Sequence, residues 1–463
     1  MCRRCIKLRR VISVDMHMFT QMKGFLFFLS CCIGINCAVA QTPKGYTNVT
    51  ALGVKANGGD VSAALQSAVD KGVPLFFPAG SYLVTRPIKR SGIIKWLGSG
   101  NKSIILCDDV VLQATNAGNS VIDNIRLQNV TTPWVVVRNE AHIGGKYNLI
   151  KTNTAGYQPT VNDGDIWPSL TPAQQQQDIG PKLTFNGRAS NIKVTRVYGN
   201  FVSILLDGAI NSTVSNCKIK GGKNAFAAIL FANLAGGPGS GNKAIGNTIT
   251  YASFCGIAFI GNNNGSASGN SISGCGESGI KLYQGEIGGY NARCSQMTII
   301  NNTSKYNTYD GLDVTTNGPR NTQAQTAHTV TGNQLLYNGG AGIYADGSGN
   351  LISGNTVAHN YRSGIDAFVG NSRILKNKAT DNNISNTATG VHELTVNGSE
   401  NQIMDNVINR SATRNGYGIY ATDQNDVQRN TGKGVGFFFG PAGRIKARLL
   451  NNSVTDKLAL PVN

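Results

Sequence analysis

The stretch SGNTVAHNYRSGIDAF, residues 353–368, sets an Asn nine residues ahead of a Gly-Ile pair and ends beside a carboxylate flanked by apolar neighbours. Aligned on Asn355, the chain repeats itself: Asn247, Asn270, Asn302 and Asn333 are followed nine residues on by Gly256, Gly279, Gly311 and Gly342, each with Ile or Leu next. Asn216 keeps the offset with Ala225-Phe226, whereas Asn377 to Gly390 and Asn406 to Gly418 are stretched. Where uninterrupted the period is 22 or 23 residues, the mark of a solenoid. Apolar residues stand three before the Asn (Ile299, Val330, Ile352, Ile374, Ile403) and two after it (Ile249, Ile272, Leu335, Val357, Ile408), a period-2 pattern broken by turns. The expected fold is therefore all-β, a right-handed parallel β-helix of stacked coils. Each Asn is assigned to a corner, where its amide bonds the backbone of neighbouring coils.

Upstream, DVSAALQSAVDKG (60–72) reads as an amphipathic helix with Asp60 as N-cap and Gly72 as its stop, closing the open end of the stack. The expected organisation is an upstream extension and signal peptide over 1–40, an N-terminal cap and first strands over 41–90, the β-helix over 91–450 and a tail over 451–463. Between about Ala155 and Lys182 the pattern lapses into a Pro- and Gln-rich loop holding Trp167, a candidate lid or stacking platform.

The opening GVKANGGDVSAALQSAVDKGVPLFFPAGSYLV (53–84), together with the Asn and Gly-Ile coils, resembles the pectate-lyase-like superfamily over most of residues 45–450. That resemblance implies a right-handed parallel β-helix acting on polysaccharide outside the cytoplasm, as lyase, hydrolase, C5-epimerase or phage tailspike depolymerase. Relatives of the tailspike kind imply trimers, so a monomer or a trimer is expected. Two signatures are missing: the paired-Asp and Gly-His-Gly set of polygalacturonases, and the Asp-Pro-His of alginate epimerases, to which YDGLDVTT (309–316) is the nearest match.

Composition narrows the partners. From Met22 a lysine, the apolar run Phe25–Ile35 and Ala38-Val39-Ala40 form a signal peptide with cleavage near Ala40, so a periplasmic or secreted protein is expected, and Met1–Gln21 is read as lying ahead of the true start. No later run is long and apolar enough for a membrane span. With 42 Lys+Arg against 24 Asp+Glu the chain is strongly basic, which favours a polyanion. Nucleic acid is set aside, because no zinc spacing, RNA-binding aromatic motif or recognition helix occurs; an acidic polysaccharide is the favoured partner. Five cysteines follow the signal (Cys107, Cys217, Cys255, Cys275, Cys294), an odd number whose spacing fits no metal motif and leaves room for one or two disulfides.

If the residue after each Gly points inward, the next points out. The outward column then reads Ala227, Ala258, Lys281, Asp313, Tyr344, Asp366, His392, Tyr420, and a second reads Ile229, Ile260, Tyr283, Thr315, Asp346, Phe368, Leu394. Asp313, Asp366, His392 and Lys281 are the catalytic candidates; Asp346, Tyr283, Tyr344, Phe368 and Arg320 are candidates for substrate contact. Ca²⁺ held by Asp313, Asp346 and Asp366 is the expected cofactor if there is one, since that ion takes oxygen ligands. Glu277 and Glu286 bracket Lys281 as secondary candidates, and His328 lies in the insertion 317–328. Lys281 and His392 suit proton abstraction beside a substrate carboxylate, hence a polysaccharide lyase or C5-epimerase. The alternatives are an inverting glycoside hydrolase using paired Asp residues and a non-catalytic carbohydrate-binding or surface-structural β-helix, in which the outward charges are ordinary cross-strand pairs.

Overall fold

The structure, a computed structural model, describes residues 41–130, 135–138, 149–152, 182–200, 202–222, 227–233, 239–252, 254–284, 286–287, 290–291, 293–316, 326–384, 386, 391–412, 414–422, 424–439 and 449–455. The signal segment, Trp167 and Arg320 lie outside the described residues. Over Thr42–Asn463 the chain is one unit, a right-handed parallel β-helix. Each coil contributes two short strands to a 27-stranded sheet and one to a 13-stranded sheet that runs from Ile88–Ser91 to Phe437–Phe439. All pairings within these two sheets are parallel; antiparallel pairs occur in the hairpins Val135–Arg138 with Leu149–Thr152 and Glu286–Ile287 with Tyr290–Asn291. Stacking continues past residue 450, where Ser453–Thr455 pairs with Thr431–Lys433.

The apolar positions of the repeat fill one continuous core. Ile299, Val330, Ile352, Ile374 and Ile403 are buried from one strand per coil, and Ile249, Ile272, Leu335, Val357 and Ile408 from the next. Burial of a side chain of this size stabilises the fold by about 1.5–3 kcal/mol. The helix Ser62–Asp70 adds Leu65, Ala68 and Val69 to the first end of that core. It starts later than expected: Val61 holds the cap position, and Asp60 instead accepts the Ser62 N–H at 2.9 Å.

The Asn residues form ladders. From Asn247 through Asn270, Asn302, Asn333, Asn355, Asn377, Asn406 and Asn430 to Asn452, each Nδ2 donates to the next Oδ1 at 2.8–3.1 Å. Each Oδ1 also accepts the backbone N–H of the preceding member, so the bend leaves these groups paired. Asn216 is not a member; Cys217 holds that place and donates its N–H to Asn247. A second ladder runs Asn307, Asn338, Asn360, Asn382, and it explains the glycines. A Cβ on Gly342 would lie 2.8 Å from Asn360 Nδ2 and 2.6 Å from the Gly364 carbonyl. Asn and Gly are thus two halves of one packing solution.

The second ladder ends at Asn382, and there the Gly position is taken by Glu393. Its Oε2 accepts Asn382 Nδ2 at 2.7 Å, and its Oε1 accepts Arg410 Nε at 3.1 Å, all fully buried. This substitution moves the register. Asp366 pairs with Thr395, not His392, and Ile365 with Leu394. Upstream, Ala258 pairs with Leu230 and not Ala227, a shift of the same size. In the second column Leu394 gives way to Asn397 and Ile229 to Ala232. All five cysteines are buried and free, so no disulfide forms among them.

Candidate active site

Lys281, Asp313, Tyr344 and Asp366 do form one column, on the successive strands Ile280–Gln284, Leu312–Thr316, Ile343–Ser348 and Ile365–Gly370. Their chain neighbours Ile280, Leu282, Leu312, Val314, Ile343, Ala345, Ile365 and Ala367 lie in the core. The column therefore faces out of the 13-stranded sheet. Asp366 is half-buried between Ile365 and Ala367, while Lys281 and Asp313 are only 9% and 6% exposed. A charged pair this covered on an outward face is sheltered by its neighbours rather than set out in solvent.

Lys281 Nζ lies 2.5 Å from Glu277 Oε1 and 3.0 Å from Asp313 Oδ2. Glu277, in the turn before the strand, is thereby brought over the column; its other oxygen accepts the Cys255 thiol at 2.8 Å from the preceding coil. Burial alone would lower the Lys281 pKa, but Asp313 and Glu277 outweigh it and hold the ammonium charged. Burial pushes the Cys255 thiol well up, so it stays a neutral donor.

Asp310 is the group the sequence reading did not single out. It stands three residues before Asp313, directly ahead of Gly311, and its Oδ1 accepts the Ala341 N–H at 2.6 Å. Burial first, and then the charge of Asp313, raise its carboxyl well above the usual range; Asp366 adds to the rise, and Lys281 opposes it. Burial and the neighbouring Asp313 thus favour the protonated form of Asp310, while Asp313 pairs with the Lys281 ammonium. The signal was present, since Glu277 and Asp310 occupy the turns before Gly279 and Gly311, on the edge of the face that carries Lys281 and Asp313.

The remaining candidates fall elsewhere. His392 lies beside the column: its Nδ1 accepts the Tyr417 N–H at 2.9 Å, its ring stacks on Tyr420 at 4.7 Å, and burial, with Arg410, pushes its pKa down to about 4. It is a neutral packing group. His328 is buried at a corner, where its Nδ1 accepts the Met297 N–H. Tyr283 is buried with its ring 5.7 Å from Lys281 Nζ, and Tyr344 meets Phe368 at 5.8 Å. Asp346 is buried and accepts the Gly347 N–H at 2.7 Å. Asp313, Asp346 and Asp366 do not fit the expected Ca²⁺ site: among the described residues no three His, Cys, Asp or Glu side chains converge as ligands.

Solved structures share this architecture. A siphovirus 9NA tailspike receptor binding domain superposes with a TM-score of 0.63 at 23% identity, covering 86% of this chain and 76% of its own. The receptor-binding protein of bacteriophage Det7, a podoviral tailspike in a myovirus, gives 0.60 at 22% identity over 86% and 75%. The Agl-KA catalytic domain gives 0.53 at 15% identity over 90% and 69%. At such identities the likeness is one of fold. The sequence itself matches the family of the Salmonella phage P22 tail-spike over residues 100–398, a span that holds Glu277, Lys281, Asp310, Asp313 and Asp366. With more than half of its length so matched, the chain belongs to the P22 tail-spike family.

Proposed function

We propose that the protein is an exported glycoside hydrolase that cleaves a polysaccharide by a two-carboxyl mechanism. The observation that carries this reading is the juxtaposition of Asp310, whose carboxyl is raised by burial and by the charge of Asp313, with Asp313 beside the Lys281 ammonium. A glycosidase needs one carboxyl to protonate the departing oxygen and a second, ionised, to activate water or attack carbon. Asp310 is assigned the acid role. Asp313 or Glu277, which share one ammonium, supplies the carboxylate. Beside the carboxylates the half-buried rings of Tyr344 and Phe368 offer faces on which a sugar could stack. The expected lyase or epimerase reading is less favoured because one of its two groups, His392, stands outside the column with its Nδ1 accepting the Tyr417 N–H.

Incubation with a panel of bacterial surface polysaccharides tests the assignment. New reducing ends without unsaturated sugars are expected. Unsaturated ends would replace hydrolysis by elimination, and retention of intact polymer would leave a binding protein.

A further inference from the structure

Part of the positive charge that pointed to an acidic partner stands away from the carboxylate column, on the outer face of the 27-stranded sheet. There Lys95, Val121, Lys193, Thr213 and Lys243 form one column in register, and Arg126, Tyr198, Lys218 and Thr248 form the next. Lys95, Lys193, Lys218, Lys220 and Lys243 are all exposed, while the residues alternating with them, Trp96, Val194, Ile219 and Ala244, are buried in the core. Strands about 4.8 Å apart place Lys193 and Lys243 roughly 10 Å from each other. Among the described residues of these two columns and their paired strands the acidic one is Asp123, and Arg196 already holds it through two contacts.

We infer that this face is a second, non-catalytic docking surface for a carboxylated polysaccharide, set apart from the carboxylate column and independent of the hydrolase reading. Coulomb attraction from a rigid lysine array favours a linear polyanion. The side chains between and beyond the lysines choose among polyanions: Thr213, Thr248, Ser266 and Ser271 continue the same columns, and with Tyr198 the one aromatic in them they offer partners for sugar hydroxyls and carboxylates but no run of rings on which successive nucleic-acid bases would stack. The face would hold an acidic chain against the protein whether or not the carboxylate column acts on it.

The test uses the full chain and polygalacturonate as the probe, with its fully methyl-esterified form as the uncharged counterpart. Binding is measured across a salt series by biolayer interferometry. The wild type is expected to bind polygalacturonate, to lose that binding as salt rises past about 0.1 M, where the screening length falls to about 10 Å, and to ignore the ester. The triple variant Lys193→Glu, Lys218→Glu, Lys243→Glu should lower affinity at least about tenfold. The triple variant Lys44→Glu, Lys55→Glu, Lys71→Glu, with the same change in net charge but placed at the N-terminal end, should keep it. Equal loss in both triples would reduce the effect to overall charge and overturn the inference. So would equal binding of the ester, or binding of phosphatidylglycerol vesicles but not polygalacturonate. Should the first triple fold poorly, Lys218→Glu alone, read by its salt slope, decides the matter.

Discussion

Cys255 Sγ donates to Glu277 Oε2 across two coils at 2.8 Å, while Lys281 holds the other oxygen of the same carboxylate. A thiol is an unusual clamp for a carboxylate, and here it fixes which way Glu277 faces over Asp313. Cys255→Ala is expected to lower kcat about tenfold with KM nearly unchanged, since a loosened carboxylate loses orientation more than binding. Cys255→Ser keeps a donor and should restore most of the rate. Steady-state kinetics on a soluble polysaccharide fragment check this; equal damage from both variants would mark Cys255 as packing only.

With Asp310 as the proposed general acid, the reaction should carry a definite pH dependence. A general acid works in its protonated form, so activity should persist above the ordinary carboxyl range and fall as pH rises through the raised Asp310 pKa. Asp310→Asn should lower kcat by roughly 10²–10⁴-fold on the natural linkage. It should cost far less on an aryl glycoside whose leaving group needs no proton, and the basic limb of its pH profile should vanish. Asp313→Asn should be damaging on both substrates. A basic limb that survives in Asp310→Asn would assign the acid elsewhere.

The column was legible in sequence wherever the Asn and Gly halves of the repeat both survive: Lys281, Asp313, Tyr344 and Asp366 fall where the nine-residue offset puts them. It failed at His392 because Glu393 fills the Gly place once the second ladder has run out, so an alignment anchored on Gly390 slips by three residues. Asp310 was passed over for a different reason. Its role depends on depth and on the charge of Asp313, and neither burial in a turn nor a neighbour's field is written in periodicity. The basic composition gave a sign but no location, because net charge carries no address.

The ladders make a sharp stability prediction. Asn355→Ala would strip the acceptor from Asn333 N–H and Nδ2 and the donor from the Val330 carbonyl, all buried. At about 1–3 kcal/mol for each buried group left unsatisfied, the loss should be about 3 kcal/mol or more. Gly342→Ala should also destabilise, through the 2.6 Å approach of its Cβ to the Gly364 carbonyl. Exposed Gln334→Ala, on the same coil, should stay within about 0.5 kcal/mol of the wild type. Urea unfolding monitored by circular dichroism separates these.

His328 carries a pH prediction of definite sign. It is buried at the position that the following coils fill with Asn350 and Ser372, taking the Met297 N–H on Nδ1 and giving its backbone N–H to Asn350. Burial pushes its pKa down to about 3, against about 6.5 in the unfolded chain. Above about pH 6.5 both states are neutral and the contribution to stability is complete. As pH falls from there toward 3 the unfolded chain takes up a proton that the folded one refuses, so stability is lost at up to about 1.4 kcal/mol per pH unit. The wild-type curve alone would blur this, because Asp310 and Glu393, whose carboxyls are raised by burial, act with the opposite sign. The difference between wild type and His328→Asn isolates the histidine, since Asn can offer the same acceptor and does not titrate. The variant should gain on the wild type steadily between pH 6 and pH 4, read from urea midpoints. A difference that stays constant across that window would mean that His328 opens to solvent and titrates without resistance from the fold.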